Sequence, residues 1–169
     1  MPPTSPNFEA YQARRHAAMV EQIKQATPQV QWRDVTVAHD KGRECEITLP
    51  HNCSIKAIVF RDGDNYNLEI RRFNVLPELQ GSGIERILLD KLIEEARGHK
   101  ATTASGSIES EGGLQSLASV FGAENMRLTA PHSSDVINLD QALVELAKPH
   151  REAGVAFTAP LPEAEPQQD

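Results

Sequence analysis

Between Phe73 and Arg97 the apolar period of this chain changes from that of a strand to that of a helix, across a turn that holds one proline and two glycines. A strand runs through Val75 into Leu76-Pro77, the chain passes Gln80-Gly81-Ser82-Gly83, and an amphipathic stretch follows from Ile84 to Arg97. Ile84, Leu88, Leu92 and Ala96 line one face of that helix, Ile87, Leu89 and Ile93 widen it, and Gly98 is a natural stop. A helix with so broad an apolar face must bury it against a sheet or other helices. The turn also has a chemical consequence. The first turn of a helix carries unsatisfied N–H groups and a partial positive charge, and Gly81 and Gly83 have no Cβ to obstruct an approaching pyrophosphate. Taken alone, Gly-x-Gly is weak: it lacks the third glycine of the dinucleotide fingerprint and the Gly-Lys-Ser/Thr ending of a nucleotide loop. Its plainer reading is a connection whose glycines only ease the turn.

The sequence on either side supplies the rest of the domain. Residues 8 to 26 lack helix breakers and carry Ala10, Ala13, Ala17, Val20 and Ile23 at helical spacing, until Thr27-Pro28 stops the helix. Strand-like alternation follows at Val35 and Val37 and again at Cys45, Ile47 and Leu49, with Asp40-Lys41-Gly42 between them as a hairpin signal. A third strand is expected from Ile55 to Arg61, closed by Asp62-Gly63, and a fourth from Tyr66 to Val75. Beyond the amphipathic helix, Lys100 to Ser107 reads as a modest strand. Leu114, Leu117, Ala118 and Phe121 then share a helical face that Gly122 ends. Met126 to Ala130 predicts a further strand and Leu139 to Lys148 another helix. From Pro149 the composition turns to Pro, Ala and Glu without a period, which predicts a disordered tail. The organisation expected is an N-terminal helix over 1–29, one domain over 30–148 and the tail over 149–169.

A length of 169 residues suits one domain with a proper core. The formal net charge of -7 argues against general affinity for nucleic acid or acidic membranes, although Arg71 and Arg72 make a local basic patch. No apolar run approaches a membrane span, and Met1-Pro2-Pro3-Thr4-Ser5-Pro6 lacks a secretory apolar core, so a soluble cytoplasmic protein is expected. Cys45 and Cys53 have no second pair to complete a zinc site and read as buried, inert thiols. His16, His39, His51, His99, His132 and His150 contain no i, i+4 metal pair and read as surface or turn residues; no metal is expected.

The run Phe73 to Arg97 resembles the acyl-CoA-binding motif of the GNAT superfamily of N-acetyltransferases. There a strand leads through a Val-x-Pro-like segment into Gln/Arg-x-x-Gly-x-Gly/Ala and an amphipathic helix. Val75 and Pro77 stand where that motif has them, and Gln80 and Gly83 match its first two positions. Ser110 to Ala123 is similar to the family's next helix, which usually closes on Gly-Phe. The resemblance covers about residues 66 to 130. It implies an α/β (α+β) fold: a mixed, mostly antiparallel sheet flanked by helices on both faces. It also implies acetyl-CoA as co-substrate and an amine, on a small molecule or a protein, as acceptor. Phe73 and Val75 would pair with the pantetheine arm, and Gln80, Gly81, Ser82, Gly83, Ile84, Glu85 and Arg86 would surround the pyrophosphate. A homodimer is compatible with these expectations.

Three departures qualify the implied activity. The last motif position, Gly or Ala in the family, is Glu85, whose carboxylate repels a pyrophosphate unless it points away; Arg86 beside it would offset the charge. The position from which many members protonate the CoA sulfur with a Tyr is Ala118, and the nearby hydroxyls of Ser116 and Ser119 are poor general acids. The only early helix precedes every strand, and a helix at Leu139 to Lys148 stands where two final strands are expected. Glu69 is the candidate general base, though an exposed strand carboxylate is its plainer reading; Trp32 reads as core. The chain is thus expected to be an acyl-CoA-dependent N-acyltransferase. The rivals are a catalytically degenerate binding or assembly module of the same fold, and an unrelated α/β domain whose turn mimics the motif.

Overall fold

A computed structural model describes residues 6–37, 39–149 and 153–163. His150, Met1 to Ser5 and the tail beyond Glu163, on which some expectations above fall, lie outside the described residues. The chain opens with α1 (Pro6–Gln25), which ends just before Thr27-Pro28. Four strands follow: β1 (Gln29–Val37), β2 (Asp40–Leu49), β3 (Cys53–Asp62) and β4 (Asn65–Asn74). A short 3-10 turn, Pro77–Leu79, leads to α2 (Ile84–Gly98), β5 (Ala101–Ile108) and α3 (Glu111–Phe121). The chain then forms β6 (Arg127–Thr129), β7 (Val136–Ile137), α4 (Leu139–Ala147) and β8 (Val155–Pro160).

All eight strands join one sheet in the order β1-β2-β3-β4-β5-β8-β6-β7. Every neighbouring pair is antiparallel except β4 and β5, which are parallel and joined through α2. Parallel strands need such a crossover, and α2 is long enough to supply it. The mixed, mostly antiparallel sheet expected from the sequence is therefore present.

Its two faces differ. Cys45, Ile47, Ile55, Ala57, Val59, Leu68, Ala104 and Phe157 are buried and of one parity along the strands. They pack with Leu88, Leu89, Leu92, Ile93 and Ala96 of α2 and Leu114, Leu117 and Phe121 of α3. The opposite parity carries Glu44, Glu46, Lys56, Glu69 and Ser105, none fully buried. On that first face lie α2 and α3, with α1 docked beside α2.

Three local expectations change. Asp40-Lys41-Gly42 belongs to β2 rather than to the hairpin turn, since Asp40 already pairs with Val37 and the turn residue His39 takes the positive φ of 72°. Gly42 is needed for close approach instead: a Cβ there would lie 3.2 Å from an Ile58 methyl carbon. Gly98 stays within α2, and the left-handed residue after the helix is Lys100 (φ 68°). The stretch expected to be a disordered tail contains β8, inserted between β5 and β6. Val155, Phe157 and Ala159 alternate as its buried side, a period that the Pro- and Ala-rich composition obscures. With β6 it supplies two late strands, and α4 is an insertion between them.

Candidate functional site where two parallel strands part

β4 is paired with β3 along its whole length but with β5 only from Tyr66↔Ala101 to Ile70↔Gly106. Beyond that point Arg71 to Asn74 have a neighbour on one side only. Two features mark the point of parting. The β3–β4 register shifts between Lys56 and Ala57, leaving Arg71 as an extra residue that bends β4. The Phe157 ring lies over Gly106, so close that a Cβ there would be 3.0 Å from a ring carbon. Phe157 also meets Phe121 at 5.9 Å between ring centroids, which fixes the ring at the base of the opening.

The result is a cleft of about 150 Å³ lined by Ile70, Phe73, Ser107, Ser110, Leu117 and Phe157, among others. It continues into a smaller space of about 70 Å³ bounded by Val75, Gln80, Glu85, Gly112, Gly113 and Ser116. Phe73, Ser110 and Gly113 line both spaces, so the two are continuous. Unpaired backbone along one wall and an apolar floor suit an extended arm with amide groups, held as an added strand.

Gln80 and Glu85, on either side of the glycine turn, bound the narrow end. Pro77 starts the 3-10 turn and buried Leu79 anchors it. Gly81 and Gly83 both take left-handed conformations, φ 80° and 89°, which side chains rarely adopt. Gly83 is the N-cap of α2 and offers no side-chain cap. Its neighbour α3 is closed differently: the Ser110 hydroxyl accepts the Gly113 N–H at 3.0 Å.

The sequence-expected residues fall as follows. Phe73 and Val75 lie on the cleft wall, and Gln80 and Glu85 bound its narrow end. Gly81, Ser82, Gly83 and Ile84 form the turn and the start of α2, Ile84 being buried. Gln80 donates its side-chain N–H to the Val75 carbonyl at 3.2 Å. Glu85 does not point to solvent: it is buried, and its Oε1 accepts the Gly81 N–H at 3.3 Å. Arg86 is turned away, with Nε 3.6 Å from Asp90 and a guanidinium N–H directed at the Ser119 carbonyl, so it does not offset the Glu85 charge. Glu69 is half-buried and ion-paired with Arg71 at 3.0 Å. Ser116 lines the narrow space, whereas Ser119 donates back to the Ser116 carbonyl. Ala118 supplies no donor.

Two residues were not legible as site residues. Lys24 of α1 lies beside the turn, its Nζ 3.7 Å from where a Cβ on Gly83 would stand. His16 of the same helix contacts the Glu78 carbonyl at 2.6 Å. Both depend on α1 docking beside α2, a packing that helical spacing alone does not reveal.

Away from the cleft, the outer sheet face holds a hollow walled by Gln31, Arg33, Glu44, Glu46 and Lys56. Its charges answer one another: Arg33 meets Glu44 at 2.6 Å and Lys56 meets Glu46 at 3.3 Å. At the far end of α2, His99 stacks on Trp32 at 3.8 Å between centroids, and its Nδ1 lies 3.1 Å from the Arg43 guanidinium. Burial, then the Arg43 charge, lowers the His99 pKa. Both cysteines are buried free thiols. Burial, helped by Glu95, pushes Cys45 up to about 12. Burial and then Glu85 raise Cys53. Among the described residues no cluster of His, Cys, Asp or Glu could hold a metal ion, and no helix is long and apolar enough to cross a membrane.

No family model matches the chain. No curated protein matches it either. Solved structures similar to it include the ribosomal-protein-S18-alanine N-acetyltransferase from Escherichia coli, at 16% identity over 92% of this chain and 94% of that one, with a TM-score of 0.44. The IAA acetyltransferase from Bacillus cereus is 14% identical over 79% of this chain and 100% of that one, with a TM-score of 0.45. N-acetylglutamate synthase from Neisseria gonorrhoeae, solved with coenzyme A and N-acetyl-glutamate, is 14% identical over 71% of this chain and 26% of that one, with a TM-score of 0.41. At such identities and scores the likeness by itself decides neither family nor activity.

Proposed function

We propose that this chain is a divergent member of the GNAT superfamily and that the cleft between β4 and β5 receives an acyl-CoA, from which an acetyl group passes to an amine. The observation that carries this reading is the parting of β4 from β5 after Ile70↔Gly106, with Gln80 and Glu85, which flank a glycine turn, bounding the narrow end. The pantetheine arm would lie along Phe73 to Val75. The thioester would then sit near the base of the cleft, where backbone amides freed by the parting polarise its carbonyl.

The reaction follows from that placement. A neutral amine attacks the thioester carbon, a C–N bond forms as the C–S bond breaks, and the proton lost from nitrogen ends on the departing sulfur. Positioning supplies much of the acceleration, and no covalent enzyme intermediate is needed. Glu69 is the candidate to accept the proton, in competition with its ion pair to Arg71. With Ala118 unable to donate, water would return a proton to the thiolate. Calorimetric titration with acetyl-CoA tests the reading: saturable heat is expected, and no heat or thermal shift at millimolar ligand would overturn it.

A second reading is favoured by Ala118, which cannot donate a proton: a module that retains the fold for binding or assembly, without acyl transfer. Acetyl-CoA turnover with any amine by the unaltered protein would eliminate it.

A further inference from the structure

The narrow end of the cleft is already satisfied from within. In an anion-receiving turn the backbone N–H groups face the incoming oxygen, and here the Gly81 N–H is taken by the Glu85 carboxylate at 3.3 Å. That carboxylate is 9% exposed and bounds the narrow space itself. The Val75 carbonyl, which an amide-bearing arm would meet, is likewise held by Gln80 at 3.2 Å. The two contacts differ in kind. Gln80 is neutral and can release Val75 in exchange for an equivalent hydrogen bond. Glu85 carries the same sign of charge as a phosphate, and a second anion at Gly81 would meet it at short range. Arg86 does not neutralise it, being engaged with Asp90 and Ser119. The exposed Lys24 lies beside Gly83, while Arg71 and Arg72 line the wider space farther from the turn.

We infer that Glu85 is the turn's resident anion and acts as a specificity-determining residue, so that the cleft favours a thioester-bearing arm whose diphosphate is absent or held outside the turn. This inference rests on the reading of the cleft given above. It makes Glu85 an internal competitor for the diphosphate, while the wall at Phe73 to Val75 remains available to an uncharged arm.

Two titrations separate the inference from the reading beneath it. Inorganic pyrophosphate is titrated into the unaltered protein, Glu85→Gln and Glu85→Ala, and S-acetylpantetheine and acetyl-CoA into the same three. Pyrophosphate is expected to bind both variants at least about tenfold more tightly than the unaltered protein, the effect of removing one like charge at short range. S-acetylpantetheine is expected to bind all three alike, and acetyl-CoA to gain with the variants. Pyrophosphate binding that is equal in all three, weaker in the variants or absent throughout overturns the resident-anion inference. If neither thioester binds any of the three, the acyl-CoA reading fails, and the pyrophosphate result still decides the role of Glu85. Glu85→Gln is nearly isosteric and can still accept the Gly81 N–H, so it keeps the comparison meaningful if Glu85→Ala loosens the turn.

Discussion

The two ends of α2 are finished in opposite ways. At its C-terminal end the helix is sealed: His99 stacks on Trp32, the Trp32 indole N–H donates to Glu95 at 3.1 Å, and Lys91 meets Glu95 at 3.7 Å. Arg97 adds a bond from its Nε to the Pro162 carbonyl at 2.9 Å, tying the helix to the residues after β8. At its N-terminal end the cap is a left-handed glycine with no side chain to offer, and the turn before it is exposed at Gly81 and Gly83. One helix therefore has a structural end and an open end. The difference teaches that the N-terminal turn is anchored by Leu79 and Ile84 on either side, while its glycines stay exposed to a ligand. The carboxylate that settles there is held by a turn amide, the Gly81 N–H, just before the helix.

The comparison can be broken most severely from the middle of the helix. Leu92 is fully buried, and Leu92→Ala should cost about 2–5 kcal/mol, lowering the denaturation midpoint and loosening both ends together in hydrogen exchange. Loss confined to one end would show that the two ends are not held by one core. Trp32→Ala should be smaller, about 2 kcal/mol for a half-buried aromatic, and should raise exchange near His99 while sparing Gly81 to Glu85. A matching loosening of the glycine turn would contradict the independence of the two ends.

Ser110→Ala removes the cap of α3, the helix whose start faces the same cleft, and should cost about 1 kcal/mol by chemical denaturation. Glu85→Gln should cost less, because its single bond to Gly81 is long and the turn is exposed. Equal losses would mean that Glu85 serves as a structural cap after all.

The smallest effect is acid sensitivity at the sealed end. The folded protein holds His99 below its ordinary pKa, so between the depressed and ordinary values the unfolded chain binds more protons. The associated stability is present above the ordinary histidine value and is lost as the pH falls through the depressed one. His99→Gln should flatten that part of the stability profile; an unchanged slope would place the titration elsewhere.

How much of this was legible in the sequence follows from the range of the interactions. The strand β4, the turn and α2 were readable because apolar period, Pro77 and the two glycines act locally. The parting of β4 from β5 was not legible, since strand pairing is non-local, and Phe157 meets Gly106 from β8, a strand hidden within a tail-like composition. Arg86 was expected to offset Glu85, but the geometry of α2 and α3 turns it toward Asp90 and Ser119. Lys24 was missed for the same reason: its place beside Gly83 is set by helix packing. Trp32 was read as core and does pack against it, half-buried, while its indole N–H also donates to Glu95 at the end of α2.

The central claim, that a CoA thioester occupies the opening between β4 and β5, is tested most directly by following backbone amide signals while acetyl-CoA is added. The account predicts saturable shifts concentrated at Phe73, Val75, Ser110 and Gly113, with Glu44, Glu46 and Lys56 on the outer face unmoved. Shifts centred on the outer face, or none at millimolar ligand, would contradict it.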